Sequence, residues 1–259
     1  MASLKGKVVM ISGASSGIGR ATALAFAAEG GKLALGARRV ERLEEMSDGL
    51  EQHGAGRVFT AALDVRDPAS VDRFVEAAHQ DLGRIDILIN NAGLARGTHR
   101  IAEGDLAAWQ EMIETNVLGL LYMSRKVVPI MLEQGGGHII NLTSVASHEV
   151  YEGGSVYAAS KHAALAISQT LRLELLGQPI RVTAISPGLT ETEFSIVRFS
   201  GDEQRAKNVY TGLQPLTPED IAECIIFAVS RPPHVDIDEM IIRPLDQAAV
   251  GKVNRRANG

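Results

Sequence analysis

The chain has 259 residues, 45% hydrophobic and 22% charged, with one cysteine and a formal net charge of -5. A lone cysteine makes neither an intramolecular disulfide nor a cysteine-ligated zinc site, which excludes a disulfide scaffold and a zinc finger. The acidic balance opposes a global footprint for nucleic acid, and no stretch approaches the ~20 apolar residues of a membrane span.

The opening Met1-Ala2-Ser3-Leu4-Lys5-Gly6-Lys7 places no apolar segment behind its basic residues, so a cytoplasmic protein is expected. Apolar runs of strand length then recur at 8–11, 33–35, 58–62, 85–89, 138–142, 181–185 and 240–243. They are continuous rather than alternating, which predicts a sheet covered on both faces. Between them, Ala21, Leu24, Ala25 and Ala28 form one helical stripe, Val71, Phe74, Val75, Ala78 and Leu82 a second, and Ile221, Cys224, Ile225 and Ala228 a third. Asp67-Pro68 and Thr217-Pro218 each put a capping side chain before a proline at the first helical position. The alternation predicts an α/β fold in a single domain over 1–259: a Rossmann-type doubly wound parallel sheet of about seven strands with helices on both faces. Residues 254–259 are expected to fray.

Between the first strand and first helix stands Ser12-Gly13-Ala14-Ser15-Ser16-Gly17-Ile18-Gly19. Gly13 permits a tight turn, Gly17 lets the backbone approach a pyrophosphate, and Gly19 lets helix pack on strand, with free N–H groups of the helix start facing the anion. An ordinary strand-to-helix turn is the plain alternative. Tyr157 and Lys161 are four apart in a helical stretch, with Cβ atoms ~5–6 Å apart. Bringing a phenol from pKa ~10 to ~7 takes ~4 kcal/mol, and one ammonium at ~6 Å supplies just under ~3 kcal/mol at an effective dielectric of ~20. By that arithmetic lysine alone nearly suffices. Ser144 has no histidine and aspartate at recognisable positions, which argues against a hydrolase. No two of the seven histidines are three or four residues apart, so no helical metal site is expected. Cys224 reads as a small core hydrophobe.

The wide Gly13-Gly17-Gly19 spacing, Asp64-Val65, Asn90-Asn91-Ala92-Gly93, Asn116, Ser144, Tyr157-Ala158-Ala159-Ser160-Lys161 and Pro187-Gly188 follow one another in order at strand ends. In this the chain resembles the short-chain dehydrogenase/reductases over nearly its whole length. The resemblance implies a catalytic set of Asn116, Ser144, Tyr157 and Lys161. Ser144 would hold the substrate oxygen, Tyr157 act as general acid/base, Lys161 hold the nicotinamide ribose and lower the Tyr157 pKa, and Asn116 keep a water in a proton relay. It implies a cofactor site of Gly13, Ser15, Ser16, Gly17, Ile18, Gly19, Arg38, Arg39, Asp64, Val65, Asn91, Ala92, Gly93, Tyr157, Lys161, Pro187, Gly188 and Thr190. It also implies a homotetramer or homodimer joined through the helices carrying Asn116 and Tyr157.

The second strand ends at Ala37 with no carboxylate for a ribose 2′-hydroxyl, and Arg38-Arg39 follow at a helix start, where a 2′-phosphate would suit them. NADP is therefore the expected cofactor; a solvated arginine pair beside Glu41 or Glu44 is the alternative, and Ser16, where some NADP-using relatives carry a basic residue, leaves dual specificity open. The stretch 189–202 would form a lid. It and 216–222 are most similar to NADP-dependent 3-hydroxy acid dehydrogenases acting on serine and related acids. Ala37-Arg38-Arg39-Val40-Glu41 and Ile242-Arg243-Pro244 also resemble reductases of reactive aldehydes such as clavulanic acid dehydrogenase. The substrate contacts are read as Ser144, Tyr157 and, for a carboxylate, Arg198 or equally Arg96, against the plain alternative that Arg198 pairs with Glu193 or Asp202. A non-catalytic NADP(H) sensor is the rival from another class.

Overall fold

The computed structural model describes residues 2–256. Seven parallel strands, β1 (Val8–Ser12), β2 (Lys32–Ala37), β3 (Arg57–Ala62), β4 (Ile87–Asn90), β5 (Gly137–Leu142), β6 (Ile180–Pro187) and β7 (Glu239–Ile242), form one sheet in the order β3-β2-β1-β4-β5-β6-β7. In register, Val9 faces Leu33 on one side and Ile87 on the other. Because side chains alternate across a strand, Leu33, Leu35 and Ile89 point to one face, and Ala34 and Leu88 to the other. The first face is covered by α1 (Gly17–Ala28), α2 (Val40–Gln52) and α9 (Pro218–Val229), which bring Phe26, Leu43 and Ile225. The second lies under α3 (Pro68–Leu82) and α5 (Gly119–Glu133), with Phe74, Val75, Met123 and Val127. The helices α4 (Leu106–Ile113), α6 (Ser155–Glu174), α7 (Phe194–Arg198) and α8 (Glu203–Asn208) complete the set.

The capping positions work as read. Asp67 accepts from the Ala69 N–H, and Thr217 and Asp220 cap each other's backbone at the start of α9. Several expectations need correction. Residues 85 and 86 precede β4; there the Asp86 carboxylate takes the Val8 N–H at 2.9 Å, and the Asp86 N–H donates to the Val8 carbonyl at 2.9 Å. The strand β3 is only half-buried, since it is an edge of the sheet. Cys224 is half-buried, the inner positions of α9 being Ile221, Ala222, Ile225 and Ala228. A hairpin, β8 (Gln247–Ala249) with β9 (Lys252–Val253), follows the last sheet strand. Residues 254–256, expected to fray, are bonded: Asn254 N–H donates to Asp246 O at 2.8 Å, and Arg256 N–H to Gly212 O at 2.7 Å. The rest of that tail, 257–259, lies outside the described residues.

The chain steps outward from β1 to β2 and β3, then crosses back to β4 on the other side of β1. The strand order reverses there, and the crevice outside the carboxyl ends of β1 and β4 is where open α/β sheets bind ligands.

Candidate active site

At that crevice β1 turns into α1. Gly13 has φ +69°, and a Cβ there would stand 2.9 Å from the Ala92 Cα; Gly17 has φ +52°, with Thr192 at 3.3 Å from its would-be Cβ. Both positions need glycine, the first for turn and contact, the second for left-handed backbone beneath the lid. A Cβ on Gly19 would strike the Gly13 carbonyl, so helix and turn touch there. Ser12 and Asn91 tie the turn to β4. The Asn91 and Ala92 N–H groups donate to Ser12 Oγ, both at 3.1 Å, and Asn91 Nδ2 donates to the Ser12 and Gly13 carbonyls. The α1 start carries no side-chain cap, which leaves its first N–H groups facing a cavity of about 780 Å³.

Ser144, Tyr157 and Lys161 line the same cavity with Gly93. Ser144 sits just past β5 at the start of a 3₁₀ turn, its Oγ accepting from the Ala146 N–H at 3.1 Å. Ser147 Oγ, in that turn, donates to the Lys161 carbonyl at 2.8 Å and fastens it to α6. Asn116 is buried in a π-helical turn, Glu114–Leu118, between α4 and α5. Both of its amide protons are used: Nδ2 donates to the Leu94 carbonyl and Ser160 Oγ, while Oδ1 accepts from the Leu94 N–H. A Cβ on Gly93 would lie 3.3 Å from Asn116 Oδ1 and 3.4 Å from Lys161 Nζ, so that glycine is the spacer between the two.

Burial opposes the lowering of Tyr157 for which Lys161 was expected nearly to suffice. Burial pushes the Tyr157 phenol up to about 12, against the opposing pull of Ser144 and Arg198. Burial likewise brings Lys161 down to about 8, and its Nζ donates to the Leu142 carbonyl at 2.8 Å. The simple Coulomb sum left out desolvation, which for a buried phenol outweighs one neighbouring charge.

At the other end, Ala37, Arg38 and Arg39 line the cavity. Arg39 Nη2 donates to Ser16 Oγ at 3.0 Å and Ser15 Oγ at 3.4 Å, so a guanidinium rests on the glycine turn where the sequence shows only serine. The carboxylates near the arginine pair are not Glu41 or Glu44: Glu193 pairs with Arg39 at 2.9 Å, and Glu111 lies 3.7 Å from Arg38. Asp64 gives its carboxylate to Arg66, whose hydrogen bonds hold its pKa below the usual range against burial, and both Asp64 and Val65 line the wall. Ile18, Pro187, Gly188 and Thr190 also line the cavity.

Arg198 Nη2 donates to the Tyr151 hydroxyl at 2.7 Å, and its guanidinium stands 5.5 Å from the Tyr151 ring centre and 5.6 Å from that of Tyr157. Neither proposed carboxylate holds it, because Glu193 is on Arg39 and Arg42 while Asp202 caps α8. Arg96 is committed instead, with Nε on Glu111 at 2.7 Å and Nη1 on the Val197 carbonyl at 2.9 Å. Tyr151 and Tyr210 are wall residues that the sequence reading missed, while Glu193 and Phe194 come from the expected lid stretch. Phe194 meets the Tyr157 ring edge-on at 5.6 Å. Lone side chains on loops carry no periodic signal, so only the fold could gather them. Among the described residues, no group of three or more His, Cys, Asp or Glu is placed to hold a metal.

The short chain dehydrogenase family model matches residues 7–202. The chain belongs to the short-chain dehydrogenases. Over 257 residues it is 44% identical to an NADP-dependent 3-hydroxy acid dehydrogenase of Schizosaccharomyces pombe, covering 99% of both chains. It is 41% identical to sulfoacetaldehyde reductase 2 of Chromohalobacter salexigens, covering 93% of this chain and 95% of that one. Among solved structures of this family, the closed form of serine dehydrogenase complexed with NADP+ superposes with a TM-score of 0.90 at 39% identity, over 96% of this chain and 100% of the other.

Proposed function

We propose that the chain is an NADP(H)-dependent dehydrogenase that interconverts a hydroxyl and a carbonyl on a small acid, a 3-hydroxy acid such as serine being the leading substrate class. The observation that carries this is one cavity whose wall joins the glycine turn and Arg39 at one end to Ser144, Tyr157 and Lys161 at the other. The cofactor fits: Gly13 and Gly17 leave room for a pyrophosphate, the uncapped start of α1 offers N–H donors, and no carboxylate stands at Ala37. When bound, it supplies hydride transfer at the substrate carbon. Ser144 Oγ and the Tyr157 hydroxyl would donate to the substrate oxygen, and Tyr157, neutral at pKa about 12, would release its proton as that oxygen gains charge in reduction. In oxidation the substrate hydroxyl would pass its proton to the Tyr157 oxygen in its phenolate form, with Lys161 as the nearby cation. Asn116 would act by fixing Leu94 and Ser160 around the pair through its side-chain bonds to both.

Arg198 would bind the acid group, being the cavity guanidinium with no carboxylate on it among the described residues. Reduction of a small aldehyde is the second reading, favoured by the 41% identity to the sulfoacetaldehyde reductase. The test is an NADP+ reduction screen over 3-hydroxy acids and neutral alcohols, with NADPH oxidation over aldehydes, on wild type and Tyr157→Phe. We expect turnover with 3-hydroxy acids and a loss of at least ~100-fold in the variant with NADP+ still bound. No turnover of any substrate by wild type with NADP+ still bound would return the protein to the class of cofactor sensors, and turnover undiminished in the variant would remove Tyr157 from the mechanism.

A homodimer or homotetramer in the cytoplasm completes the reading. Supporting it, Leu106, Ile113, Leu121 and Leu132 on α4 and α5, and Leu173 at the end of α6, expose apolar side chains on the helices that flank Asn116 and Tyr157.

A further inference from the structure

Glu193 stands on the lid at the entry to α7, yet its carboxylate reaches the opposite rim of the cofactor cleft. Its Oε2 accepts from Arg39 Nη1 at 2.9 Å and its Oε1 from Arg42 Nη1 at 2.8 Å. Arg39 is thereby held between this carboxylate and the Ser15 and Ser16 hydroxyls of the glycine turn. Burial works against the charge on Glu193, but Arg42 and Arg39 keep its carboxyl below the usual range, so it is an anion at neutral pH.

We propose that Glu193 sets the margin by which the protein prefers NADP over NAD, by competing with the 2′-phosphate for Arg39. This rests on the reading that Arg39 receives that phosphate. A phosphate arriving at Arg39 must displace or weaken its charge-assisted bond to Glu193, which weakens NADP binding. A ribose 2′-hydroxyl brings no charge and leaves the ion pair intact. Glu193 also places, from the lid, the kind of carboxylate that the end of β2 lacks at Ala37, and a ribose hydroxyl can donate to such a group. Arg42 keeps Glu193 in place whichever cofactor enters, so the competition is built into the site.

Both partners are half-exposed, at 41% for Arg39 and 40% for Glu193, so the effect is that of a surface ion pair. Losing one is worth about a two- to fivefold change in a binding ratio. The test is calorimetric titration of NADP+ and NAD+ into the full chain, for wild type, Glu193→Gln, Arg39→Ala and the double variant. We expect Glu193→Gln to raise the NADP+ over NAD+ affinity ratio by about two- to fivefold, Arg39→Ala to collapse the ratio, and Glu193→Gln to change nothing further once Arg39 is gone. An unchanged or lower ratio in Glu193→Gln, with the collapse in Arg39→Ala intact, overturns the proposal and leaves the cofactor reading standing. A ratio that survives Arg39→Ala overturns both. A ratio that rises equally in the Arg39→Ala background overturns the proposal too, since Glu193 then acts through some other group.

Discussion

Arg198 reaches the cavity with Nη2 on the Tyr151 hydroxyl and Nε on the Gly97 carbonyl, both neutral acceptors, so its charge is uncompensated by any carboxylate among the described residues. A substrate acid group could take that charge. Arg198→Ala should then raise KM for 3-hydroxy acids by about tenfold or more, the worth of a charge-assisted hydrogen bond, while sparing neutral carbonyl compounds. Steady-state kinetics on both classes checks it; equal losses would make the residue a lid element only. Lys161 offers a second residue-level test. Its pKa is about 8 in the fold against 10.5 for a free lysine, so between those values the unfolded chain binds more protons and stability rises with pH. Below pH 8 the buried ammonium costs the fold about 3 kcal/mol. The stability of wild type relative to Lys161→Met should therefore climb by up to that amount as pH rises from 8 to 10.5, read by urea unfolding. A flat difference would contradict the burial of Lys161. Spacing in the sequence put Tyr157 and Lys161 on one face of a helix, but spacing is silent on how dry that face is. Desolvation decides their pKa values.

Elements follow local rules wherever the determinants are local. The Thr217 hydroxyl accepts from the Asp220 N–H at 3.2 Å, and the Asp220 carboxylate takes the Thr217 N–H at 2.7 Å. Thr217→Ala should cost about 1 kcal/mol of stability and leave kcat unchanged, since the cap lies on α9, which carries none of the proposed catalytic side chains. Urea unfolding and kinetics together test this; a kcat loss would mean that α9 positions the lid. The glycine turn was equally legible, because its φ values and close contacts demand that residue type. The lid was not. Its short helices α7 and α8 are placed by long-range bonds, such as the Gly97 N–H to the Arg198 carbonyl at 2.8 Å, which no window of sequence contains. The strands beneath are similar in this respect. Their apolar runs announced them, but which strand is an edge depends on sheet order, and β3 is half-exposed for that reason alone.

At the scale of the whole molecule, a chain of net charge -5 gathers Arg38, Arg39, Arg66, Arg96 and Arg198 around one cavity. Attraction for an anionic cofactor is local, and salt should screen it: the Debye length falls from ~10 Å at 0.1 M to ~3 Å at 1 M. The NADP+ dissociation constant should increase across that range more steeply than that of NAD+, in titrations at several NaCl concentrations. Parallel lines would show that the arginines do not meet the 2′-phosphate. The sequence by itself determined the α/β architecture, the glycine turn, the order of the strand-end motifs and the presence of arginines after β2, because each depends on periodicity, capping or short spacing. Only the tertiary structure decided what those side chains meet. It set Glu193 rather than Glu41 against Arg39, committed Arg96 and left Arg198 open, and tied Asn116 to Leu94 and Ser160. Those outcomes depend on distances between segments a hundred or more residues apart in the case of Arg39 and Glu193, and such distances exist only once the sheet has closed.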